Sequence, residues 1–215
     1  MLIDRYHQAV ESLLKTVRET QRENIFKAGE LVANAVENGG KIYLGHIVHG
    51  IEMDLIYRGG GPIFYTEYKP GETELKAGDV LFVSSVSGRT KSVVDLAWDC
   101  MQKGITVIAL TSMVYASKVD PVHESGKKLH EFVTLALDNC APAAEAMLEV
   151  EGLEAHFAAS SGISSDYIMW NITSVVVEKM LEKGLTPGIL KSANFPGGND
   201  YNKQIIEPHY DEFGW

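Results

Sequence analysis

The chain has little cysteine, little positive charge and no long apolar run. Its two cysteines, Cys100 and Cys140, form neither a disulfide framework nor a metal-ligand spacing, and read as reduced, buried thiols. No apolar stretch reaches the length of a membrane span. The start Met1-Leu2-Ile3-Asp4-Arg5 lacks a signal peptide's charged opening and apolar middle, so the expected location is the cytoplasm. Nineteen Lys and Arg against 29 Asp and Glu leave a net charge of −10 with His neutral. Such a surface repels nucleic acid and anionic lipid, which excludes partners held by phosphate-backbone charge and leaves a small anion in a locally built site. Internal repeats and low-complexity tracts are absent as well.

What is present is the composition of a globular core. Of 215 residues, 45% are apolar and 22% charged, which reads as a single domain over 1–215. Residues 1–38 repeat apolar side chains at steps of three and four, from Ile3 and Tyr6 through Val17 to Ile25, Leu31 and Ala35. Asn38-Gly39-Gly40 supplies the stop. This predicts one long helix that either covers the core or contacts a second subunit. After it, short Val/Ile/Leu-rich runs alternate with helical periodicity. Strands are expected at 41–44, 79–83, 106–110 and 132–137, with a weaker one at 63–66. Helices are expected from the loop after 44 through Arg58, over 90–102, and from near Ser165 to Gly184. Alternation with continuously apolar strands predicts a doubly wound α/β domain with a parallel sheet covered on both faces. The tail, 185–215, reads as irregular, with aromatics that would pack on a surface.

The segment Ser84-Ser85-Val86-Ser87-Gly88-Arg89-Thr90 joins the strongest strand to its helix. Ligands of open parallel sheets bind at strand C-termini, and a helix N-terminus there offers unpaired N–H groups to an anion. Ser85, Ser87 and Thr90 add hydroxyls, Gly88 permits close backbone approach, and Arg89 offers charge. A single helix cap explains one hydroxyl; three interleaved with a glycine read as a cradle for a tetrahedral oxyanion. His46, His49 and Glu52 recur at steps of three after the first strand. They read as contacts to sugar hydroxyls or as satisfied, partly buried groups, and their spacing matches no specific metal motif.

Here the pattern S-x-S-G-x-T between strand and helix resembles the sugar isomerase (SIS) domain. The chain is similar over most of its length to the bacterial SIS proteins of the UPF0309 group, described as phosphoheptose isomerases. Tyr57-Arg58-Gly59-Gly60, Leu75–Leu81, Val107–Ser112, Ser125–Leu129, Leu148–Leu153 and Ser192-Ala193-Asn194 carry the likeness. The resemblance implies a five-stranded parallel sheet with helices on both faces, a homodimer or larger, and no redox cofactor. It implies that Ser84, Ser85, Ser87, Gly88, Arg89 and Thr90 hold the anion of a sugar, with Gly45, His46, Glu52, Ser160 and Ser161 also touching the ligand. By position before the Ser-rich turn it makes Glu151 the base, with His49 or His156 as the second acid/base. Asp54 matches a carboxylate of near relatives in a setting that equally fits a structural role.

The chain departs from those relatives in three places. The loop after the first strand reads Leu44-Gly45-His46-Ile47-Val48-His49-Gly50 where relatives carry a Gly-Ser-Gly-His-Ser type. The 61–76 connection is short. Phe195-Pro196-Gly197-Gly198 stands where some SIS isomerases have His-Pro-Gly-Gly, so that histidine is missing. Two functions follow as expectations: an aldose–ketose isomerase for a sugar bearing a terminal phosphate or sulfonate, working through an enediol, or a non-catalytic sugar-phosphate sensor.

Overall fold

The structure, a computed structural model, describes residues 1–45 and 47–209. His46 and residues 210–215, with Tyr210, Phe213 and Trp215 of the aromatic tail, lie outside the described residues. The chain begins with α1 (Leu2–Thr20) and α2 (Arg22–Glu37), followed by β1 (Ile42–Leu44), the short α3 (Glu52–Leu55) and β2 (Tyr65–Glu67). Then come β3 (Val80–Ser84), α4 (Lys91–Gln102), β4 (Thr106–Thr111), α5 (Met113–Ala116) and β5 (Leu135–Asp138). The last part holds β6 (Ala146–Leu148), β7 (Phe157–Ala159), α6 (Ser161–Glu182) and α7 (Gly198–Ile206).

Five strands form one sheet in the order β2-β1-β3-β4-β5, all parallel. The inner strands β1, β3 and β4 are buried along nearly their whole length because both faces are covered, whereas the edge strands β2 and β5 are only partly buried, and the period of two divides the side chains between two cores. Ile42, Leu44, Val80, Phe82, Ile108 and Leu110 face α2 and α6. Tyr43, Leu81, Val83, Val107 and Ala109 face Val94, Ala97 and Cys100 of α4. The expected doubly wound α/β fold with five parallel strands is the one observed.

Several local expectations are corrected. The single helix over 1–38 is two helices meeting at Gln21, whose backbone stands at φ −105°, ψ −1°. The Gln21 side chain is 7% exposed, and its Oε1 accepts from the Asp138 N–H at 3.0 Å. A polar side chain turned inward to satisfy a strand end explains the gap between Val17 and Ile25 in the apolar series. The expected helix through Arg58 shrinks to a 3₁₀ turn at Val48–Gly50 and one turn of α3. The strand expected at 132–137 begins only at Leu135, because Phe132 has left extended backbone (ψ −6°) and meets Trp98 edge-on, with ring centroids 5.1 Å apart. The helix expected from Ser165 begins at Ser161, and the irregular tail contains α7. Residues 146–159 form an antiparallel hairpin that periodicity did not announce.

Candidate functional site

The strand order reverses between β1 and β3, which are neighbours in the sheet while their connections leave in opposite directions. A crevice opens at such a switch point, outside the C-terminal ends of the two strands. Here it is a cleft of about 280 Å³ lined by Val48, His49, Ser85, Ser87, Thr90, Tyr115 and Glu145 among others. A separate cavity of about 310 Å³, which shares Val93 with the cleft, is lined by Gly45, Glu52, Glu67 and apolar side chains of β1, β3 and α4.

The loop after β3 is built from its own hydroxyls. Ser85 Oγ accepts from the Thr90 N–H at 3.1 Å and lies 2.8 Å from Thr90 Oγ1, which fixes the turn into α4. Gly88 has φ +69°, and a Cβ there would meet Thr111 Oγ1 at 3.3 Å and Ala116 Cβ at 3.4 Å. The Ser87 hydroxyl and the N–H groups of Val86, Ser87 and Arg89 have no partner among the described residues. A turn that leaves donors unpaired at a helix N-terminus is the chemistry of an anion cradle.

The expected residues divide into lining and support. Ser84 reaches the cleft, but its buried oxygen accepts from the Val48 N–H at 2.6 Å and ties the loop after β1 to the end of β3. Gly88 supports the cradle from behind, and Arg89 is half-buried without lining the cleft. Glu52 Oε2 accepts from the Ile47 N–H at 3.2 Å and shapes the same loop. The N–H of Gly45 donates to the Phe82 carbonyl at 2.8 Å, and a Cβ there would stand 2.9 Å from that oxygen. Ser160 and Ser161 are buried at the start of α6 and do not line the cleft.

Glu151 and His156 are not brought to this cleft by their own chain. Both are exposed, Glu151 in the turn between β6 and β7 and His156 immediately before β7. The carboxylate that does line it is Glu145, at the root of the hairpin. Its Oε2 lies 3.3 Å from His49 Nε2 and accepts from the Ser161 hydroxyl at 2.8 Å. Its carbonyl accepts from the Ser160 hydroxyl at 2.7 Å. Both His49 (φ 56°) and Glu145 (φ 71°) hold left-handed backbone, a conformation unfavourable for residues with a Cβ and concentrated at functional sites. Sequence reasoning passed over Glu145 because nothing local marks it; Ala144-Glu145-Ala146 has no motif. Tyr115 was missed for the same reason. Among the described residues, no three His, Cys, Asp or Glu side chains converge to hold a metal ion.

The comparisons agree with this architecture. The SIS domain model matches residues 5–67 and 64–112. A UPF0309 protein of Shouchella clausii is 31% identical, covering 96% of each chain, and one of Streptomyces coelicolor is 28% identical over 94% of this chain and 92% of its own. Among solved structures, phosphoheptose isomerase from Neisseria gonorrhoeae superposes with a TM-score of 0.54 at 14% identity, covering 83% of this chain and 96% of its own. The Vibrio vulnificus NanR protein complexed with ManNAc-6P also gives 0.54, at 16% identity, over 98% of this chain and 69% of its own. At those identities the likeness to the two structures is one of fold. No helix of the described residues is long and apolar enough to cross a membrane. With a matching domain model, relatives spanning nearly its whole length and the sheet that family is built on, the chain belongs to the SIS domain family and to its UPF0309 group.

Proposed function

We propose that the cleft between β1 and β3 isomerises an aldose and a ketose that carry a terminal anionic group, phosphate or sulfonate, through an enediol. The observation that carries this reading is the His49–Glu145 pair held across from a cradle of unpaired donors. The anion sits on the Ser87 hydroxyl and the N–H groups of the 86–89 turn, at the N-terminal end of α4. With the open-chain sugar so anchored, Glu145 takes the C2 proton of the aldose. The C–H electron pair becomes the C1–C2 double bond as His49 gives a proton to O1, which makes the enediol. His49 then takes the O2 proton back as C2–O2 becomes the carbonyl, and Glu145 returns its proton to C1 to give the ketose. Ser161 keeps the Glu145 carboxylate aimed by donating to Oε2.

This assigns to Glu145 the role expected of Glu151, and supports His49 over His156 as the second acid/base. Sugar binding without turnover is the competing reading, favoured by NanR, a protein of this fold that its structure shows with ManNAc-6P. Proton NMR in heavy water with a panel of aldose and ketose phosphates and sulfonates separates the two. The isomerase washes deuterium into one substrate and yields its isomer, and Glu145→Gln abolishes exchange while ligand affinity stays within a few-fold. Silence across the panel, together with measurable binding, overturns the isomerase reading and leaves a sensor.

A further inference from the structure

Behind the 86–89 turn lies a histidine that the proposed reaction does not use. The carbonyls of Ser85, Val86 and Gly88 accept from the N–H groups of Gly88, Ser112 and Leu129 at 2.8, 2.9 and 2.9 Å. These oxygens are therefore engaged within the fold, while the N–H groups of Val86, Ser87 and Arg89 stay unpaired. The bond from Leu129 docks a 3₁₀ turn, Leu129–Glu131, against Gly88, and with it His130. A Cβ on Gly88 would stand 3.5 Å from His130 Nδ1. One further C–C bond, about 1.5 Å, puts that nitrogen within about 5 Å of the Gly88 Cα. Nδ1 is buried and has no hydrogen-bond partner among the described residues. Buried polar atoms are nearly always paired, so an orphan in this position calls for a reason.

No carboxylate among the described residues pairs with this imidazole. The elements packed against it are β4, which has no titratable side chain, α4, α5 and the anion turn itself. On α4 stand Lys91, Asp95 and Asp99, with Asp95 held by Lys91 at 2.6 Å and lying 3.7 Å from His123. Tyr115 belongs to α5 and Arg89 to the turn. Beside the histidine, Lys128 Nζ donates to the Ala116 carbonyl at 2.5 Å, and Glu131 accepts from the Lys128 N–H at 2.7 Å. Next to Gly88 in the chain, the fixed charge is thus the cation of Arg89. Burial beside a cation disfavours an imidazolium, and an anion bound to the turn favours one.

Resting on the reading of the 86–89 turn as the anion site, we propose that His130 couples anion binding to proton uptake. The imidazole gains a proton from solvent as the anion settles on the turn, so the site takes up anion and proton together. His130 touches no substrate and moves no proton of the isomerisation; it is a positioning residue that acts on the anion through the turn. Linkage makes the coupling reciprocal: acid, over the range where histidine titrates, tightens the anion, and the anion holds the proton. The two candidate anions then part company. A phosphate monoester loses its second charge near about pH 6, so its affinity should peak close to neutrality. A sulfonate keeps its charge and should go on tightening into acid.

The probe is inorganic sulfate, whose charge is constant over this range, titrated into the full chain at fixed ionic strength and followed by the amide NMR shifts of residues 86–90. Sulfate should bind the wild type about tenfold more tightly at about pH 5.5 than at about pH 8.5, as expected for charges roughly 7 Å apart near a protein surface. His130→Gln should bind with the weaker affinity at both pH values. His49→Gln, which removes the imidazole that lines the cleft, should keep the pH dependence. Melting curves check that both variants fold. A second measurement needs no variant: sulfate should raise the protonated fraction of His130 in the wild type at neutral pH, read from its ring nitrogen shifts. Sulfate binding that is indifferent to pH, a pH dependence that survives His130→Gln or vanishes in His49→Gln, or a His130 ring unmoved by sulfate overturns the proposal and leaves the anion turn standing without it. Amides of residues 86–90 that ignore sulfate at both pH values overturn the anion site itself, and the proposal with it.

Discussion

The imidazole of His49 and the carboxylate of Glu145 meet at 3.3 Å across 96 residues of sequence, and both sit on left-handed backbone. The His49 side chain is 66% exposed, so packing does not hold the backbone there. Left-handed backbone costs a residue with a Cβ about 1–2 kcal/mol, of which glycine's extra freedom when unfolded offsets roughly 0.5–1. His49→Gly is therefore expected to be more stable in urea than His49→Ala by about 1 kcal/mol, while both lose turnover. Equal stabilities would remove the claim of strain at this position.

Ser84 at the end of β3 and Ser87 in the turn after it do different work. Ser84→Ala orphans the buried N–H of Val48, at a cost of about 1–3 kcal/mol in stability. Ser87→Ala removes a hydroxyl with no protein partner and should leave the melting temperature unchanged. It should weaken the sugar anion by roughly 10–100-fold, the worth of one hydrogen bond to a charged group. Titration calorimetry and chemical denaturation on the two variants read both quantities. The reverse pattern would place the anion elsewhere.

The helices α2 and α6 approach closely because Gly29 has no side chain. A Cβ there would stand 2.4 Å from Val175 Cγ1 and 2.6 Å from its Cβ. Gly29→Ala should thus be destabilising by about 1–3 kcal/mol, as overpacked cores are, despite the better helix propensity of alanine. Adding Val175→Ala should restore part of the loss. Additive losses in the double variant would show that the two residues do not touch.

Burial pushes the Asp166 carboxyl above its ordinary range, with the charge of Arg58 pulling it partly back. Its Oδ1 is buried without a hydrogen-bond partner among the described residues. In the window above the unfolded pKa the native state holds the proton more tightly, so stability falls as pH rises through it. Asp166→Asn should accordingly be more stable than the wild type at pH 7, with the difference vanishing in acid below about pH 3.9. Urea titrations at the two pH values decide it; a variant less stable at pH 7 would mean the attraction to Arg58 outweighs burial.

The sheet was legible because strands covered on both faces carry near-continuous apolar runs, as residues 80–83 and 107–110 do. The donor-rich turn after β3 was legible for a related reason. Its donors all come from one short turn, Ser84 to Thr90, so local sequence holds the whole arrangement. The bend at Gln21 was half visible, as a gap in the apolar series, but its cause is a hydrogen bond to Asp138, which only tertiary contact supplies.

The remainder of the site lay beyond local sequence. Glu145 shares no motif with His49 or the cradle, and faces them because β5 ends, the chain turns left-handed through Cys140, Ala144 and Glu145, and a hairpin returns it to α6. Glu151, six residues on, has the same chemistry and a better-looking neighbourhood, yet the turn carries it out to solvent. Sequence alone determined the α/β fold, the acidic composition and the hydroxyl-rich turn from Ser84 to Thr90, since those follow from periodicity, composition and contiguous residues. Which carboxylate meets the histidine was decided by the tertiary structure, because a side chain's position across a cleft depends on backbone turns that residues distant in sequence hold in place.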